Sequence, residues 1–128
     1  MTIAQTSKKY DLTPDTLRYY ERIGLISSVP RTENGIRNYD EKTCRRIEFI
    51  KCMRNAGVEI EILLEYMKLF EEGKSTVSAR RQLLEEQRTK LLVKQKNINE
   101  TIDRLNYKIE LYDEIMEGKR KDFTEIER

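Results

Sequence analysis

The sequence of 128 residues contains no histidine, and it has only two cysteines and two prolines. The absence of histidine removes the commonest general base and the commonest metal ligand together. The sequence also has no glycine-rich phosphate loop and no Gly-x-Ser-x-Gly turn, which are marks of phosphate-transfer and hydrolase sites. We therefore expect that the protein is not an enzyme and holds no metal ion or cofactor.

Long apolar runs are missing as well. None approaches the roughly 18 residues that cross a bilayer, and the N-terminus lacks the basic and then apolar pattern of a signal peptide. We expect a cytoplasmic protein without membrane contact, in which Cys44 and Cys52 are reduced. If both lie on one helix they are about 12 Å apart along its axis, too far for a disulfide, whose Cα atoms lie within about 7 Å.

Charge is abundant, at 38% of the residues, and it is unevenly distributed. Residues 1–58 hold 11 basic and 7 acidic side chains, a balance of +4. Residues 59–128 hold 14 and 16, a balance of −2. The first half of the chain is therefore the candidate for contact with phosphates.

Capping residues, glycine stops and apolar spacing predict four short helices, over residues 3–9, 14–23, 41–56 and 60–72. The second carries a cationic and aromatic outer face, made by Asp15, Arg18, Tyr19 and Arg22. A short helix, a tight turn and a second helix with such a face is typical of a DNA-binding helix-turn-helix. The alternative is an ordinary solvated surface.

Residues 27–39 interrupt the helical pattern, and Asn34-Gly35 predicts the turn of a small β-hairpin. We expect Arg31, Arg37 and Tyr39 to be available to solvent on this hairpin. A basic hairpin directly after a helix-turn-helix favours a wing that contacts the phosphate backbone. An ordinary loop with scattered charges is the alternative.

From residue 77 onwards apolar side chains recur every seven residues. The positions offset by four are apolar from Ile102 onwards but hold Arg81, Arg88 and Gln95 before it, so the pattern predicts a coiled coil that is mixed in its first half and fully apolar in its second. A helix of about 40 residues would be about 60 Å long, and it has no core of its own. A second copy of the chain is its simplest partner; folding back on its own head is the alternative. The predicted dimer interface consists of Leu84, Leu91, Ile98, Ile102, Leu105, Ile109, Tyr112 and Met116.

These patterns together predict a mainly α fold, a winged helix-turn-helix head with a small β-hairpin wing followed by a long C-terminal coiled-coil dimerisation helix. The predicted divisions are residues 1–74 for the DNA-binding head and 75–118 for the dimerisation helix. Residues 119–128 form a charged tail that we expect to be frayed.

Three marks in order, TLRYYERIGL, then Arg-x-Tyr, then Ala-Gly at the end of the third helix, resemble the MerR family over residues 2–72. The resemblance implies a homodimer joined by an antiparallel coiled coil. It implies binding to a palindrome in a promoter whose RNA polymerase elements lie too far apart, and activation by bending and untwisting that DNA.

The resemblance also assigns roles to residues. It implies that Thr16, Arg18 and Tyr19 lie on the recognition helix in the major groove, and that Arg37 and Tyr39 belong to the wing. Arg18 and Arg37 are expected to make the strongest contacts, because a guanidinium binds phosphate or guanine through two hydrogen bonds.

Within the family, the end of the chain at Arg128 argues against the multidrug sensors, which carry a further domain, and the absence of cysteine beyond residue 52 argues against the metal sensors. The segment IEFIKCMRNAGVEI resembles the short subgroup that senses reactive aldehydes and other electrophiles through a thiol, and its sensor position matches Cys52. Cys44 is interpreted as structural.

Two alternatives stay open. Free cysteine is among the most buried residue types, so by residue type alone Cys52 is equally well explained as a side chain that packs in the core. One alternative is therefore a MerR-like DNA-binding protein without a thiol inducer, which acts as an architectural protein or a repressor. A coiled-coil protein whose basic head binds another protein is the second. A steep salt dependence of DNA affinity would count against the second.

Overall fold

A computed structural model describes residues 1–122, which form five α-helices and one 3₁₀ turn. The elements are α1 (Ile3–Tyr10), α2 (Pro14–Arg22), α3 (Glu41–Asn55), α4 (Ile60–Glu72), the 3₁₀ turn (Lys74–Thr76) and α5 (Val77–Met116). The chain divides into two compact units, Met1–Gln87 and Arg88–Arg128, and α5 begins in the first and continues in the second. None of the helices in the described residues is long and apolar enough to cross a membrane.

Local side-chain caps mark the starts of α1, α2 and α3, whereas α4 begins without one. The hydroxyl oxygens of Thr2 and Thr13 accept from the amides of Gln5 and Thr16, and the Asp40 carboxylate accepts from the amide of Thr43. Each cap satisfies one of the backbone N–H groups that a helix leaves free at its first turn. Each cap and its partner lie three residues apart, so the sequence predicts these starts correctly, and the predicted ends of the four short helices agree with the structure to within one residue.

The head has one apolar core, to which its four short helices and the segments after α2 and α3 contribute. Its side chains with no accessible surface include Leu17 on α2, Leu25 and Ile26 after it, and Ile47 and Ile50 on α3. Leu63 and Met67 of α4 complete the same core. The burial of Leu17 and Tyr20 fixes which side of α2 faces inward, and therefore which side of it remains exposed.

The prediction of a β-hairpin is wrong in its extent, because the strand pairing is shorter than expected. The described residues contain one isolated antiparallel bridge, between Arg31 and Arg37, and no longer strand pairing there. The type I′ turn that Asn-Gly favours needs positive φ at both central residues, and here Gly35 has a φ of 77° while Asn34 does not adopt positive φ. The chain instead closes a wider turn, in which the Gly35 amide donates to the Thr32 carbonyl at 2.9 Å.

Tyr39 also departs from its predicted position. Its side chain is 1% exposed rather than available to solvent. The Tyr39 amide donates to the Met1 carbonyl at 2.8 Å, so the chain returning from the wing is held beside the first residue of the head. This pairing between residues distant in the sequence brings the Tyr39 ring into the apolar core.

The second unit buries little apolar surface. Of its described residues, 88–122, only Leu111 is buried, and Leu111 lies outside the predicted dimer interface. Seven of the eight predicted interface residues are exposed, namely Leu84, Ile98, Ile102, Leu105, Ile109, Tyr112 and Met116. Leu91 is half-buried.

The helix α5 ends at Met116, and Gly118, which follows two residues later, has a φ of 76°. The Lys119 amide then donates to the Glu114 carbonyl at 2.8 Å, and the Arg120 guanidinium pairs with the Glu114 carboxylate at 3.1 Å. These contacts belong to the first part of the predicted tail. The remainder of that tail, residues 123–128, lies outside the described residues.

Candidate nucleic-acid interface

The outer side of α2 forms one continuous polar and aromatic surface. Five of its side chains line a single shallow depression: Asp15, Thr16, Arg18, Tyr19 and Arg22. The structure thus places all four sequence-predicted DNA-binding residues of this helix on the same face. The arrangement follows from the helix period, because the opposite face carries the buried Leu17 and Tyr20.

The cations of this surface are held in defined positions by neighbouring side chains. The Arg18 guanidinium donates to Asp15 at 3.0 Å, and both groups are solvent-exposed. The Arg22 guanidinium lies over the Tyr19 ring, 5.3 Å from its centroid. The Thr16 hydroxyl is hydrogen-bonded to the Thr13 hydroxyl, which also caps the helix. Such an array of donors and aromatic surface is suited to base edges and phosphates.

The wing contributes two further cations. The exposed Arg31 donates to the Gly35 carbonyl at 3.1 Å, across its own turn. Arg37 is half-buried, and its Nε donates to the Glu21 carboxylate of α2 at 2.8 Å. The second oxygen of Glu21 accepts from the Val29 amide at 2.7 Å. One carboxylate therefore bridges α2 to both ends of the wing.

The titration of this bridge agrees with its geometry. Burial by itself would raise the pKa of Glu21, but the hydrogen bonds from Arg37 and from the Val29 amide outweigh it, and the pKa lies below its ordinary value. The hydrogen bond to Glu21 raises the pKa of Arg37. Glu21 and Arg37 are thus a charged pair, in which each partner stabilises the ionised form of the other.

The buried phenol of Tyr39 lies within electrostatic reach of the same groups. Burial raises the pKa of Tyr39 above its ordinary value, and the charges of Arg37, Arg18 and Arg31 offset only part of this effect. Its hydroxyl is buried and has no hydrogen-bond partner among the described residues. The predicted wing residues and the predicted recognition-helix residue Arg18 therefore belong to one electrostatic neighbourhood.

The two cysteines of α3 have different environments. Cys44 is buried, and its Sγ lies 3.7 Å from the Tyr39 carbonyl. Cys52 is exposed in the last turn of α3. The flanking cations bind backbone carbonyls, Lys51 that of Tyr10 and Arg54 that of Val58. Within residues 1–122 no cluster of three or more potential metal ligands occurs.

Comparison with known proteins decides the family. Residues 1–69 match the family model described as MerR HTH family regulatory protein. The chain belongs to the MerR family. It is a DNA-binding transcription regulator, and its relatives are transcriptional regulators rather than enzymes, as the sequence predicted.

Two individual relatives show how similar this chain is to particular members of the MerR family. It is 57% identical to the HTH-type transcriptional regulator AdhR of Bacillus subtilis over 92 residues, which are 72% of this chain and 66% of that protein. A crystal structure from Listeria monocytogenes, assigned to the MerR family of transcriptional regulators, is 38% identical, covers 99% of this chain and 96% of its own, and has a TM-score of 0.87.

A third relative was solved on DNA. HiNmlR, a MerR family regulator that lacks the sensor domain, is bound to promoter DNA in its crystal structure. It is 26% identical to this chain, covers 88% of it and 90% of its own chain, and has a TM-score of 0.80. The similarity to AdhR and HiNmlR confirms the predicted resemblance to MerR-family regulators of this kind.

Sequence reasoning assigned no role to Glu21, which the structure places between α2 and the wing. A signal for it was present, since Glu21 is the last residue of the RYYE run that supports the family resemblance. Its partners Val29 and Arg37 lie 8 and 16 residues further along the chain. Within the described chain no single helix or strand runs from Glu21 to either partner, so no periodic pattern in the sequence connects them.

Proposed function

We propose that this MerR-family regulator binds a promoter palindrome as an antiparallel coiled-coil homodimer and activates transcription by RNA polymerase through distortion of an over-long promoter spacer. Reactive aldehydes and other electrophiles act as inducers through Cys52. The observation that carries the proposal is the pairing of an exposed cationic and aromatic face on α2 with an exposed thiol on α3 of the same head.

The placement of the cations supports the DNA-binding part of the proposal. Thr16, Arg18, Tyr19 and Arg22 lie on one face of α2, as insertion into a major groove requires. Arg31 and Arg37 lie on the adjoining wing, where they can neutralise phosphates. Tyr39 supports the wing from the core; any direct contact of its hydroxyl with DNA needs that hydroxyl to become accessible.

The exposed apolar face of α5 supports the homodimer. Ile98, Leu105 and Ile109 are each more than half exposed in a single chain, and Met116 is 83% exposed. Burial of such side chains stabilises an assembly by roughly 25 cal/mol for each Å² of apolar surface removed from water. A second copy of α5 offers the same seven-residue period and therefore a complementary surface.

The accessibility of Cys52 supports the sensing part. An aldehyde needs access to the sulfur, and in the head Cys52 is exposed whereas Cys44 is buried. The Cys52 thiolate adds to the carbonyl carbon, a C–S bond forms as the carbonyl π bond opens, and the resulting oxyanion takes a proton from water. This addition yields a hemithioacetal and requires neither an oxidant nor a reductant.

A second candidate function, DNA binding without a thiol inducer, is favoured by one observation. The two flanking cations are hydrogen-bonded to backbone carbonyls, and no described residue forms a hydrogen bond or ion pair with the Cys52 sulfur. A reactive thiol usually has a nearby positive charge that stabilises its thiolate. In this alternative Cys52 has no sensing role, and the protein represses or organises its promoter constitutively.

Transcription in vitro separates the two candidates. The template carries an over-long spacer with the operator, and transcript is measured with and without a small reactive aldehyde for the wild type and for Cys52→Ala. We expect induction in the wild type and none in Cys52→Ala. An equal response in both would assign the response elsewhere, and no response in either would favour the second candidate.

The other cysteine gives a matched control. Cys44→Ala removes a thiol from the same helix, and because Cys44 is buried we expect aldehyde induction to persist in this variant. Mass spectrometry of the aldehyde-treated protein should find the adduct on the peptide that contains Cys52. An adduct on Cys44 instead would contradict the assignment of the sensor.

A further inference from the structure

We propose that Glu21 is a positioning residue for DNA binding, which orients Arg37 and couples the wing to the recognition helix α2. The inference rests on the proposed DNA-binding surface and adds a residue that itself makes no contact with DNA. Glu21 is negatively charged and lies beside the proposed DNA-binding surface. In this proposal its carboxylate nevertheless strengthens the binding of DNA.

The carboxylate of Glu21 contacts the wing at both of its ends. One oxygen accepts from the Val29 amide at 2.7 Å, where the chain enters the wing, and the other accepts from Arg37 Nε at 2.8 Å, where the chain leaves it. The side chain of Glu21 is 15% exposed and that of Arg37 is 27% exposed. A shielded, charge-assisted contact of this kind fixes geometry more firmly than an exposed ion pair.

The geometry leaves Arg37 able to bind a second anion. A guanidinium carries five N–H donors in a rigid plane, and the bond to Glu21 uses the Nε–H. The N–H groups of the two terminal nitrogens are then oriented by the same plane. Since a guanidinium binds phosphate best through paired donors, a fixed plane lowers the entropic cost of that contact.

The other arginines of the surface have different supports. Arg18 is paired with the exposed Asp15 of its own helix, Arg22 lies over the Tyr19 ring of the same helix, and Arg31 donates to the carbonyl of Gly35 in its own turn. None of these contacts joins α2 to the wing. Among these four arginines of the described surface, Arg37 is therefore the one whose orientation depends on a contact between the two DNA-binding elements.

The proposal predicts the direction in which DNA affinity changes when the charge of Glu21 is removed. Removal of a carboxylate near a DNA-binding surface should strengthen binding if that carboxylate only repels phosphates. A positioning role predicts the opposite for Glu21. Glu33, in the exposed turn of the wing, is the matched control, because Glu33→Gln removes the same charge.

The experiment measures binding of the full chain to a DNA duplex that the wild type has selected from a random pool, by fluorescence anisotropy over a range of salt concentrations. We expect Glu21→Gln to weaken binding about tenfold and to make the salt dependence shallower by up to about one phosphate equivalent. Glu33→Gln should bind as tightly as the wild type or more tightly. Binding by Glu21→Gln as tight as by Glu33→Gln would overturn the proposal.

A double-mutant cycle distinguishes positioning from general damage to the fold. Once Glu21 is replaced, Arg37→Gln should cost little further affinity, because the lost orientation is shared. Losses that add in the double variant would overturn the proposal. If Glu21→Gln does not fold, as judged by circular dichroism, Glu21→Asp keeps the charge but withdraws the carboxylate by one methylene; wild-type affinity and salt dependence in that variant would also overturn it.

The same assay separates this inference from the proposed DNA-binding surface. Loss of affinity in Arg18→Ala and Arg37→Gln, together with wild-type affinity in Glu21→Gln, would refute the role of Glu21 alone. Unchanged affinity in both arginine variants would refute the proposed surface, and the positioning role would fall with it.

Discussion

Apolar residues of the same type are buried in the core of the head and exposed on the long helix. Ile47 and Ile50 of the head have no accessible surface, whereas Ile98 and Ile109 of α5 are more than half exposed. The head folds several short helices around one core, while α5 is a single helix with no such core among the described residues 88–122. Apolar spacing of helical period therefore has two outcomes, an intramolecular core and a surface that lacks its partner.

The largest effect is expected where α5 would meet a second copy. The double variant Ile102→Asp with Ile109→Asp places two carboxylates in the predicted interface, and a buried unpaired charge costs several kcal/mol. We expect dimer dissociation to become easier by about 1,000-fold or more, measured by analytical ultracentrifugation, together with weak binding to DNA.

The opposite face of α5 provides the control for this variant. Val93 and Tyr107 are also exposed, and they lie at the heptad position farthest from the predicted interface. Val93→Asp with Tyr107→Asp should leave the dimer intact. A wild-type dimer in the Ile102 and Ile109 variant would refute the predicted interface and remove the distinction between the two faces.

The second effect concerns the core of the head. Ile50→Ala should lower the free energy of unfolding by about 2–5 kcal/mol, because it removes buried methyl groups and leaves a cavity. Urea unfolding followed by circular dichroism measures this loss. Ile36, which is exposed on the wing, is the matched control, and Ile36→Ala should change the stability by no more than about 0.5 kcal/mol. Equal losses would contradict the core described above.

The third effect tests whether a basic side chain on α2 contributes more to operator binding than a basic side chain on α5. Arg18→Ala should cost about 1–3 kcal/mol of operator binding if the guanidinium reads a base edge. The matched control is Arg104→Ala, which removes the same exposed charge from α5. Anisotropy titration against the operator and against a scrambled duplex measures both. Equal affinities of Arg18→Ala and wild type for the operator would remove Arg18 from the recognition surface.

The smallest effect separates a capped helix from an uncapped one. Thr13→Ala removes the hydroxyl that accepts from the Thr16 amide, and should cost about 1 kcal/mol of stability. Glu59 precedes α4 without a side-chain cap bond, so Glu59→Ala should be nearly neutral. Thermal melting measures both. A neutral Thr13→Ala would show that the packing of Leu17 and Tyr20, rather than the cap, determines where α2 begins.

Local signals account for most of what the sequence predicted correctly. The caps Thr13 and Asp40 and the inward side of α2 are encoded within a few residues, and the structure agrees with each. The seven-residue period of α5 likewise predicts which residues share a face. The hairpin prediction failed because Asn34-Gly35 is compatible with more than one turn, and the sequence does not determine which turn forms.

The two cysteines show the limit of such reasoning. Both lie on α3, eight residues apart, and the helical period separates their directions by about 80°. Periodicity alone does not state which direction faces the core. The structure does, since Cys44 packs beneath the returning wing while Cys52 is exposed. The proposal of Cys52 as sensor gains its physical support from that difference.

By itself the sequence determined the helices, their caps, the cationic face of α2 and the apolar stripe of α5, because each depends on residues close together in the chain. Only the tertiary structure decided that Tyr39 is buried and that Glu21 joins α2 to Arg37. These contacts link positions 16 or more residues apart. They form only when the core has fixed the chain around them, so no local period encodes them.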